Sequence, residues 1–154
     1  METQVVSQPA MSFLGVEQRF TSDTEDPGYS NLWFNKFMPK ESEFGKHKID
    51  DSYYALVLNN STDGSWTYMP CVRINEIQAI PEGMVLRELA AAQFLEFETT
   101  VADIGQKWGQ IEEWLKNNNQ YSQKAGMHSY EFYPPNTTRP ESKVMIYIPI
   151  EERP

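Results

Sequence analysis

The sequence predicts an α+β fold in which an antiparallel sheet carries its helices on one side. Three observations lead to this class: short segments rich in aromatic and β-branched residues, two segments with a helical spacing of apolar residues, and the order strands, helix, hairpin, which occurs twice along the chain. The chain has 154 residues, of which 40% are hydrophobic. That length supports one sizeable core, and we therefore expect a single domain over residues 1–154.

Seven segments are expected to be strands, because they are short, bounded by turn residues and enriched in side chains that favour a pleated surface. They cover residues 11–20, 53–58, 66–74, 85–89, 93–99, 129–133 and 143–150. The turn cluster NSTDG at residues 60–64 predicts a hairpin between the second and the third of these segments. The proline-rich stretch at residues 134–140 predicts a second hairpin before the last strand.

The clearest helix is predicted over residues 101–117. Apolar residues recur there at spacings of three and four, at Val101, Ile104, Trp108, Ile111 and Leu115. This spacing places them on one helix face. Thr100 is expected to be the N-cap, with Asp103 completing a variant of the capping box.

A second helix is predicted from about residue 27 to residue 38. Its apolar residues are Tyr29, Leu32, Trp33 and Phe37. Pro27 suits the first turn and Pro39 is expected to end the helix. The polar residues 41–51 are then expected to form a connection.

The repeated order of elements suggests an internal duplication. A shift of 81 residues sets FLGVE at residues 13–17 against FLEFE at residues 94–98, and a shift of 75 sets Trp33 against Trp108. Chance can explain any single match, so the repeated order of elements is the stronger evidence. Two such halves, each with one helix, predict the α+β sheet described above.

The net charge of −9 argues against a nucleic-acid-binding surface, because such surfaces need clustered Lys and Arg. The acidic balance either favours cationic partners or serves solubility alone. No segment approaches the roughly 18 apolar residues of a membrane span, and the N-terminus lacks the features of a signal peptide, which predicts a cytoplasmic protein without a membrane partner.

Familiar catalytic and metal-binding patterns are not apparent in the sequence. The single cysteine, Cys71, cannot form an internal disulfide, and His47 and His128 lie too far apart to suggest a zinc site. There is no Ser-His or Cys-His pair and no phosphate-binding loop. We therefore expect no metal and no cofactor.

The segment SYEFYPP at residues 129–135 contains the candidate functional residue, because it sets a carboxylate among aromatic side chains in a predicted strand. Strand alternation places Glu131 and Tyr133 on one face, and Tyr130 and Phe132 on the other. A carboxylate in an aromatic cavity is costly unless hydrogen bonds, a raised pKa or a bound cation compensate. The alternative is that Glu131 lies on a solvated sheet face.

The final strand supplies a possible neighbour for Glu131. Its branched residues at positions 144, 146 and 148 form an apolar face, which leaves Met145 and Tyr147 on the opposite face. If this strand pairs with residues 129–133 as a hairpin, we expect the side chains of Glu131 and Tyr147 to point into one shared space.

Taken together, seven segments resemble the GyrI-like small-molecule-binding domain, which also serves as the effector-binding module of AraC-type and MerR-type multidrug-responsive regulators. They are PAMSFLGVEQRF, NLWFNKF, YMPCVRI, IPEGMVLRELAAAQFLEFE, IGQKWGQIEEWL, YEFYPP and KVMIYIPI. The resemblance runs from about Gln8 to Ile150. Its most specific parts are the glutamate within an aromatic strand and the closing IYIPI.

The resemblance implies two strand-helix-strand-strand halves related by a pseudo-twofold axis, with a ligand pocket on the concave side of the sheet. The pocket glutamate of the family corresponds to Glu131, and the tyrosine of its last strand to Tyr147. Trp33 corresponds to the helix tryptophan that borders the pocket. The further ligand-binding candidates are Tyr54, Tyr68, Phe97 and Trp108, where Trp108 has a competing interpretation as part of the apolar helix stripe.

Three functions follow as hypotheses from the resemblance. The first is a stand-alone sensing or sequestering protein that binds hydrophobic, cationic, drug-like molecules, without the DNA-binding domain that regulators carry. The second is a hydrolase of reactive cyclopropane-containing compounds, in which Glu131 and Tyr147 act as general base and orienting donor. The third is a gyrase-modulating interaction protein, for which no specific segment is apparent.

Overall fold

The computed structural model describes residues 1–22, 28–59 and 62–154 and confirms the α+β class. Ten strands form one antiparallel sheet. They are β1 (Gln4–Gln8), β2 (Met11–Gly15), β3 (Gln18–Phe20), β4 (Tyr53–Asn59), β5 (Trp66–Ile74), β6 (Val85–Leu89), β7 (Ala92–Thr100), β8 (Tyr121–Gln123), β9 (Ser129–Tyr133) and β10 (Lys143–Glu152).

The sheet is built from two equivalent halves. Its central strands run in the order β7-β10-β9-β4-β5-β2, so that each half contributes one strand and one hairpin, and β9 pairs with β4 at the centre. The β4–β5 hairpin is as predicted, although residues 60 and 61 of its turn lie outside the described residues. In the central pair Tyr53 lies opposite Tyr133, and Ala55 lies opposite Glu131.

The first half carries a chain of short helical turns. It comprises α1 (Gly28–Asn31), a π-helical turn (Leu32–Phe37), a 3₁₀ turn (Met38–Lys40), α2 (Glu41–Phe44) and a second 3₁₀ turn (Gly45–His47). The prediction that Pro39 ends the helix is wrong. Pro39 lies in the first turn of a new helical piece, where a proline is tolerated. The buried Phe44 then packs against Phe37, with the two rings stacked 4.5 Å apart, and this contact stabilises the continuation. Pro27 lies outside the described residues.

The second half carries one regular helix, α3 (Ile104–Asn117). It begins three residues later than predicted, because residues 101–103 form a turn in which the amide of Asp103 donates to Thr100. Ile111 and Leu115 are buried against the sheet, as the apolar stripe predicts.

Both faces of the sheet are covered by apolar side chains. On one face the helical segments pack on residues such as Val72, Ile146 and Ile148. On the other face a separate core contains Phe13, Tyr54 and other aromatic residues. Because both faces are buried, the apolar character of a strand residue does not indicate which face of the sheet its side chain lies on. This limits the prediction of the site from sequence.

Two of the ten strands were not predicted, β1 and β8. β1 reads QVVSQ and has little aromatic content, and β8 is only three residues long. The predicted strand over residues 11–20 is in fact two strands, β2 and β3, and both of them pair with β5.

Candidate functional site

A cavity of about 900 Å³ opens on the helix-bearing face of the sheet. Its walls come from both halves: Trp33 stands on the π-helical turn and Trp108 on α3, while the floor is formed by β4, β5 and β9. The site therefore lies between the two helical segments and above the central strands. A cavity of this size, with mainly apolar walls and a few polar groups, is typical of a small-molecule site.

Glu131 lies at the base of this cavity and is only 4% exposed. Its Oε1 accepts hydrogen bonds from the Tyr133 hydroxyl at 2.7 Å and from the Tyr68 hydroxyl at 2.9 Å. Its Oε2 accepts a hydrogen bond from Trp108 Nε1 at 2.7 Å. Three neutral donors, from β5, β9 and α3, thus hold one carboxylate.

A second tier of contacts positions these donors. Trp33 Nε1 donates to the Tyr68 hydroxyl at 3.0 Å, so that Tyr68 accepts from Trp33 and donates to Glu131. The ring of Tyr29 stacks on that of Tyr68 with centroids 4.1 Å apart, and the indole of Trp66 donates to the Tyr29 hydroxyl at 2.7 Å. Hydrogen bonds and ring contacts between aromatic side chains therefore connect the first helical segment to the carboxylate.

Burial raises the pKa of Glu131 above its ordinary value, while the hydrogen bonds from Tyr133, Trp108 and Tyr68 lower it in part. Burial, followed by the charge of Glu131, raises the pKa values of the Tyr68 and Tyr133 hydroxyls well above the ordinary tyrosine value. Both hydroxyls consequently stay protonated and act as donors.

No cationic side chain compensates the charge of Glu131 in the part of the chain that the structure describes. None of the described residues that line the cavity is Lys, Arg or His, and no ion pair to Glu131 is formed among them. Two further carboxylates also border the cavity: Glu112, and Asp51, which forms an ion pair with Lys48 at 4.0 Å. The lining is thus formally anionic as well as aromatic.

Three of the predicted site residues lie together at the cavity: Trp33, Tyr68 and Trp108 all border it with Glu131. Trp108 contacts both the apolar cluster under α3 and the cavity. Its ring packs partly against the apolar cluster under α3, while its indole nitrogen reaches Glu131.

Three other predicted residues lie elsewhere. The expectation that Tyr147 shares a space with Glu131 is wrong, because β10 pairs with β9 so that Ile146, not Tyr147, is opposite Glu131. Adjacent positions point to opposite faces, so Tyr147 belongs to the other core, where its hydroxyl donates to Glu96 Oε2 at 2.7 Å.

Tyr54 and Phe97 also do not border the cavity. Tyr54 lies opposite Phe132 and packs in the core on the other face. Phe97 is on the helix-bearing face but is fully buried under α3, with its ring 5.8 Å from that of Trp114. Both side chains contribute to the core.

Several cavity residues were missing from the predicted set: Tyr29, Tyr53, Trp66 and Tyr133. Strand alternation already placed Tyr133 on the face of Glu131, and the same rule applied outward from Tyr68 selects Trp66. Tyr53 lies directly opposite Tyr133 in the central strand pair, a relationship that requires the register.

The described residues contain no group of three or more His, Cys, Asp or Glu side chains placed to hold a metal ion. Across these same ranges, no helix is long and apolar enough to cross a membrane.

Several solved structures share this fold. SAV2435, in its structure bound to tetraphenylphosphonium, matches at a TM-score of 0.80 and 16% identity over 98% of this chain and 94% of that one. The C-terminal domain of EcmrR matches at a TM-score of 0.69 and 11% identity over 99% of this chain and 98% of that one. A hydrolase from Listeria innocua matches at a TM-score of 0.55 and 12% identity over 97% of this chain and 92% of that one.

At these identities the structural matches establish the fold, which is that of a GyrI-like domain. No curated protein sequence matches the chain significantly. The sequence profile of Cass2, described as an integron-associated effector binding protein, matches residues 4–150, which is nearly the whole chain. The chain therefore belongs to this family of effector-binding proteins.

Proposed function

We propose that the protein binds hydrophobic, positively charged small molecules in the cavity, with Glu131 as their counter-charge. The observation that carries this proposal is a carboxylate that is buried at the base of a cavity of about 900 Å³ and has no cationic partner among the described residues. Uptake without chemistry would make the protein a sensor or a sequestering protein.

The energetics of the buried charge favour a cationic ligand. An ionised carboxylate removed from water loses several kcal/mol of hydration, and neutral hydrogen-bond donors restore only part of it. The raised pKa of Glu131 is consistent with incomplete compensation. A ligand cation near Glu131 would supply the missing charge.

The walls suit the same ligand class. The rings of Trp33, Tyr29 and Trp66 border the cavity, and each cation–π contact contributes roughly 0.5–2 kcal/mol according to desolvation. Family membership supports small-molecule binding in general, and SAV2435 provides a related fold with a lipophilic cation bound. Flat aromatic walls make few directional demands, which predicts tolerance of several ligand shapes.

The proposal can be tested with two ions of nearly the same shape and opposite charge, tetraphenylphosphonium and tetraphenylborate. Tryptophan fluorescence should report saturable binding of the phosphonium, because Trp33 and Trp108 border the cavity. The borate should not bind. Equal binding of both ions would show that the site selects apolar bulk and not charge, and would refute the proposal.

The role of Glu131 can be separated from net charge with a matched variant. Glu131→Gln should weaken phosphonium binding at least tenfold, since it removes the counter-charge. Glu96→Gln removes a carboxylate that also accepts a tyrosine hydroxyl but lies on the opposite face, and it should bind like the wild type. If both variants bind equally well, Glu131 is not the counter-charge.

Hydrolysis is a second candidate function. Glu131 combines a raised pKa with two tyrosine hydroxyls, which suits a general base, and the fold is shared with a Listeria hydrolase. Tyr147 cannot take the orienting role, because it lies on the other face. Mass spectrometry after incubation with a cyclopropane-containing alkylating compound should reveal a hydrolysed product that Glu131→Gln does not form; the absence of turnover would refute this role for that compound.

A further inference from the structure

Phe34 differs from every other aromatic side chain that borders the cavity in the described ranges. It stands on the π-helical turn and is 69% exposed, so that it lies at the cavity opening. It takes part in none of the ring contacts among the described residues and belongs to none of their apolar clusters. Each of the other aromatic side chains at the cavity has a hydrogen bond or a ring contact. Phe34 therefore contributes little to the stability of the fold.

The backbone beside Phe34 is held by the preceding residue, Trp33. The Trp33 indole donates to the Tyr68 hydroxyl at 3.0 Å, and its ring meets that of Tyr133 edge to face at 5.5 Å. The Trp33 carbonyl oxygen accepts from the amide of Met38, which closes a π-helical turn of the kind that often occurs at functional sites. The Phe34 ring consequently changes direction by rotation about its own side-chain bonds, which takes picoseconds to nanoseconds for an exposed residue.

We propose that Phe34 covers the bound ligand at the cavity opening and determines how long the ligand stays. This inference rests on the proposed function and adds to it the residue that retains the ligand. An apolar ligand in the cavity presents part of its surface to water at the opening. When the Phe34 ring turns onto that surface, both lose contact with water, and the burial of apolar area stabilises the complex.

This role affects dissociation of the ligand and not its association. Rotation of an exposed side chain is much faster than the encounter of protein and ligand, so Phe34 does not limit entry. The contacts that it forms with the ligand are present only in the complex, and they must break before the ligand leaves. Their loss therefore raises the dissociation rate constant and leaves the association rate constant nearly unchanged.

Stopped-flow tryptophan fluorescence with tetraphenylphosphonium measures both rate constants. Phe34→Ala should raise the dissociation rate constant about tenfold and change the association rate constant by less than about threefold. Phe34→Leu keeps a smaller apolar group and should give an intermediate dissociation rate constant. If the wild type binds but Phe34→Ala dissociates at the wild-type rate, the inference is overturned and the proposed function stands. If the wild type does not bind tetraphenylphosphonium, the proposed function itself fails.

Two controls separate retention of the ligand from an effect on folding. Phe34→Ala should keep the wild-type midpoint of urea unfolding, because the ring packs in none of the apolar clusters. Ile80→Ala also truncates an exposed apolar side chain, 48% exposed, but Ile80 does not border the cavity, and the variant should keep both rate constants. A lowered midpoint in Phe34→Ala, or an equal rise of the dissociation rate constant in Ile80→Ala, would overturn the assignment of Phe34 as the cover.

Discussion

Removing the hydroxyl of Tyr68 is expected to destabilise the protein by about 2–4.5 kcal/mol. The hydroxyl donates to Glu131 at 2.9 Å, and a hydrogen bond to a charged group contributes about 1.5–3 kcal/mol. It also accepts from Trp33 Nε1 at 3.0 Å, a neutral hydrogen bond that contributes about 0.5–1.5 kcal/mol. Tyr68 is buried, so water cannot readily replace either partner in Tyr68→Phe.

Two other Tyr→Phe changes calibrate this value. Tyr133→Phe removes a single hydrogen bond to the same oxygen of Glu131 and should cost about 1.5–3 kcal/mol, less than Tyr68→Phe, because Trp33 keeps its partner. Tyr147→Phe removes a hydroxyl that donates to Glu96 at an equal distance, 2.7 Å. Glu96 is only partly buried and can be rehydrated, so the cost should be about 1 kcal/mol or less.

The assay is urea unfolding followed by far-UV circular dichroism, with comparison of midpoints at an unchanged m-value. Repeating Tyr68→Phe in a Glu131→Gln background should reduce its cost, since the acceptor is then uncharged. If Tyr68→Phe costs no more than Tyr147→Phe, the donors do not stabilise a buried charge and the reasoning about Glu131 is refuted.

Three further predictions follow from the structure. Because the pKa of Glu131 is raised, phosphonium binding should weaken as the pH falls through that pKa, and Glu131→Gln should lose this dependence in titrations across pH 4–8. The free energy of unfolding should receive from Glu131 a contribution that decreases as the pH rises from the ordinary carboxyl pKa of about 4.3 to the raised value; Glu131→Gln should lose this contribution and keep that of His128, whose pKa is lowered by burial. Tyr147→Phe should leave the Kd for tetraphenylphosphonium within about twofold of wild type, whereas Trp33→Phe should increase it measurably. Gly15→Ala should lower the melting temperature strongly, because the added Cβ would lie 2.1 Å from the carbonyl oxygen of Pro70 and cost about 1–3 kcal/mol or more. A thermal melt that matches that of the wild type would contradict the close approach.

Much of the fold could be predicted because local signals were strong. The alternation and turn residues around β5, β6 and β9 gave the bounds that the structure has. The breaks in the first helical segment could not be predicted, since the π-helical turn and the continuation past Pro39 depend on how Phe37 and Phe44 stack. Such packing is a tertiary effect that overrides local propensity.

The site could be predicted only in part because alternation assigns faces within a strand but not between strands. Glu131 and Tyr133 share a face on β9, as expected. In the structure Ile146 lies opposite Glu131, whereas a shift of one residue in the pairing of β9 with β10 would place Tyr147 there. The hydrophobic pattern of β10 could not resolve the register, because apolar residues cover both faces of the sheet.

The pairing of Ala55 with Glu131 at the centre of the sheet has a consequence for how such a site can arise. In an assembly of two identical halves, symmetry would place the same residue at both positions, giving either two alanines or two carboxylates. Two carboxylates directly opposite each other repel, and one would take up a proton. Joining the halves in one chain lets the two positions diverge, so that alanine leaves room beside a single acid and the acid can keep its charge.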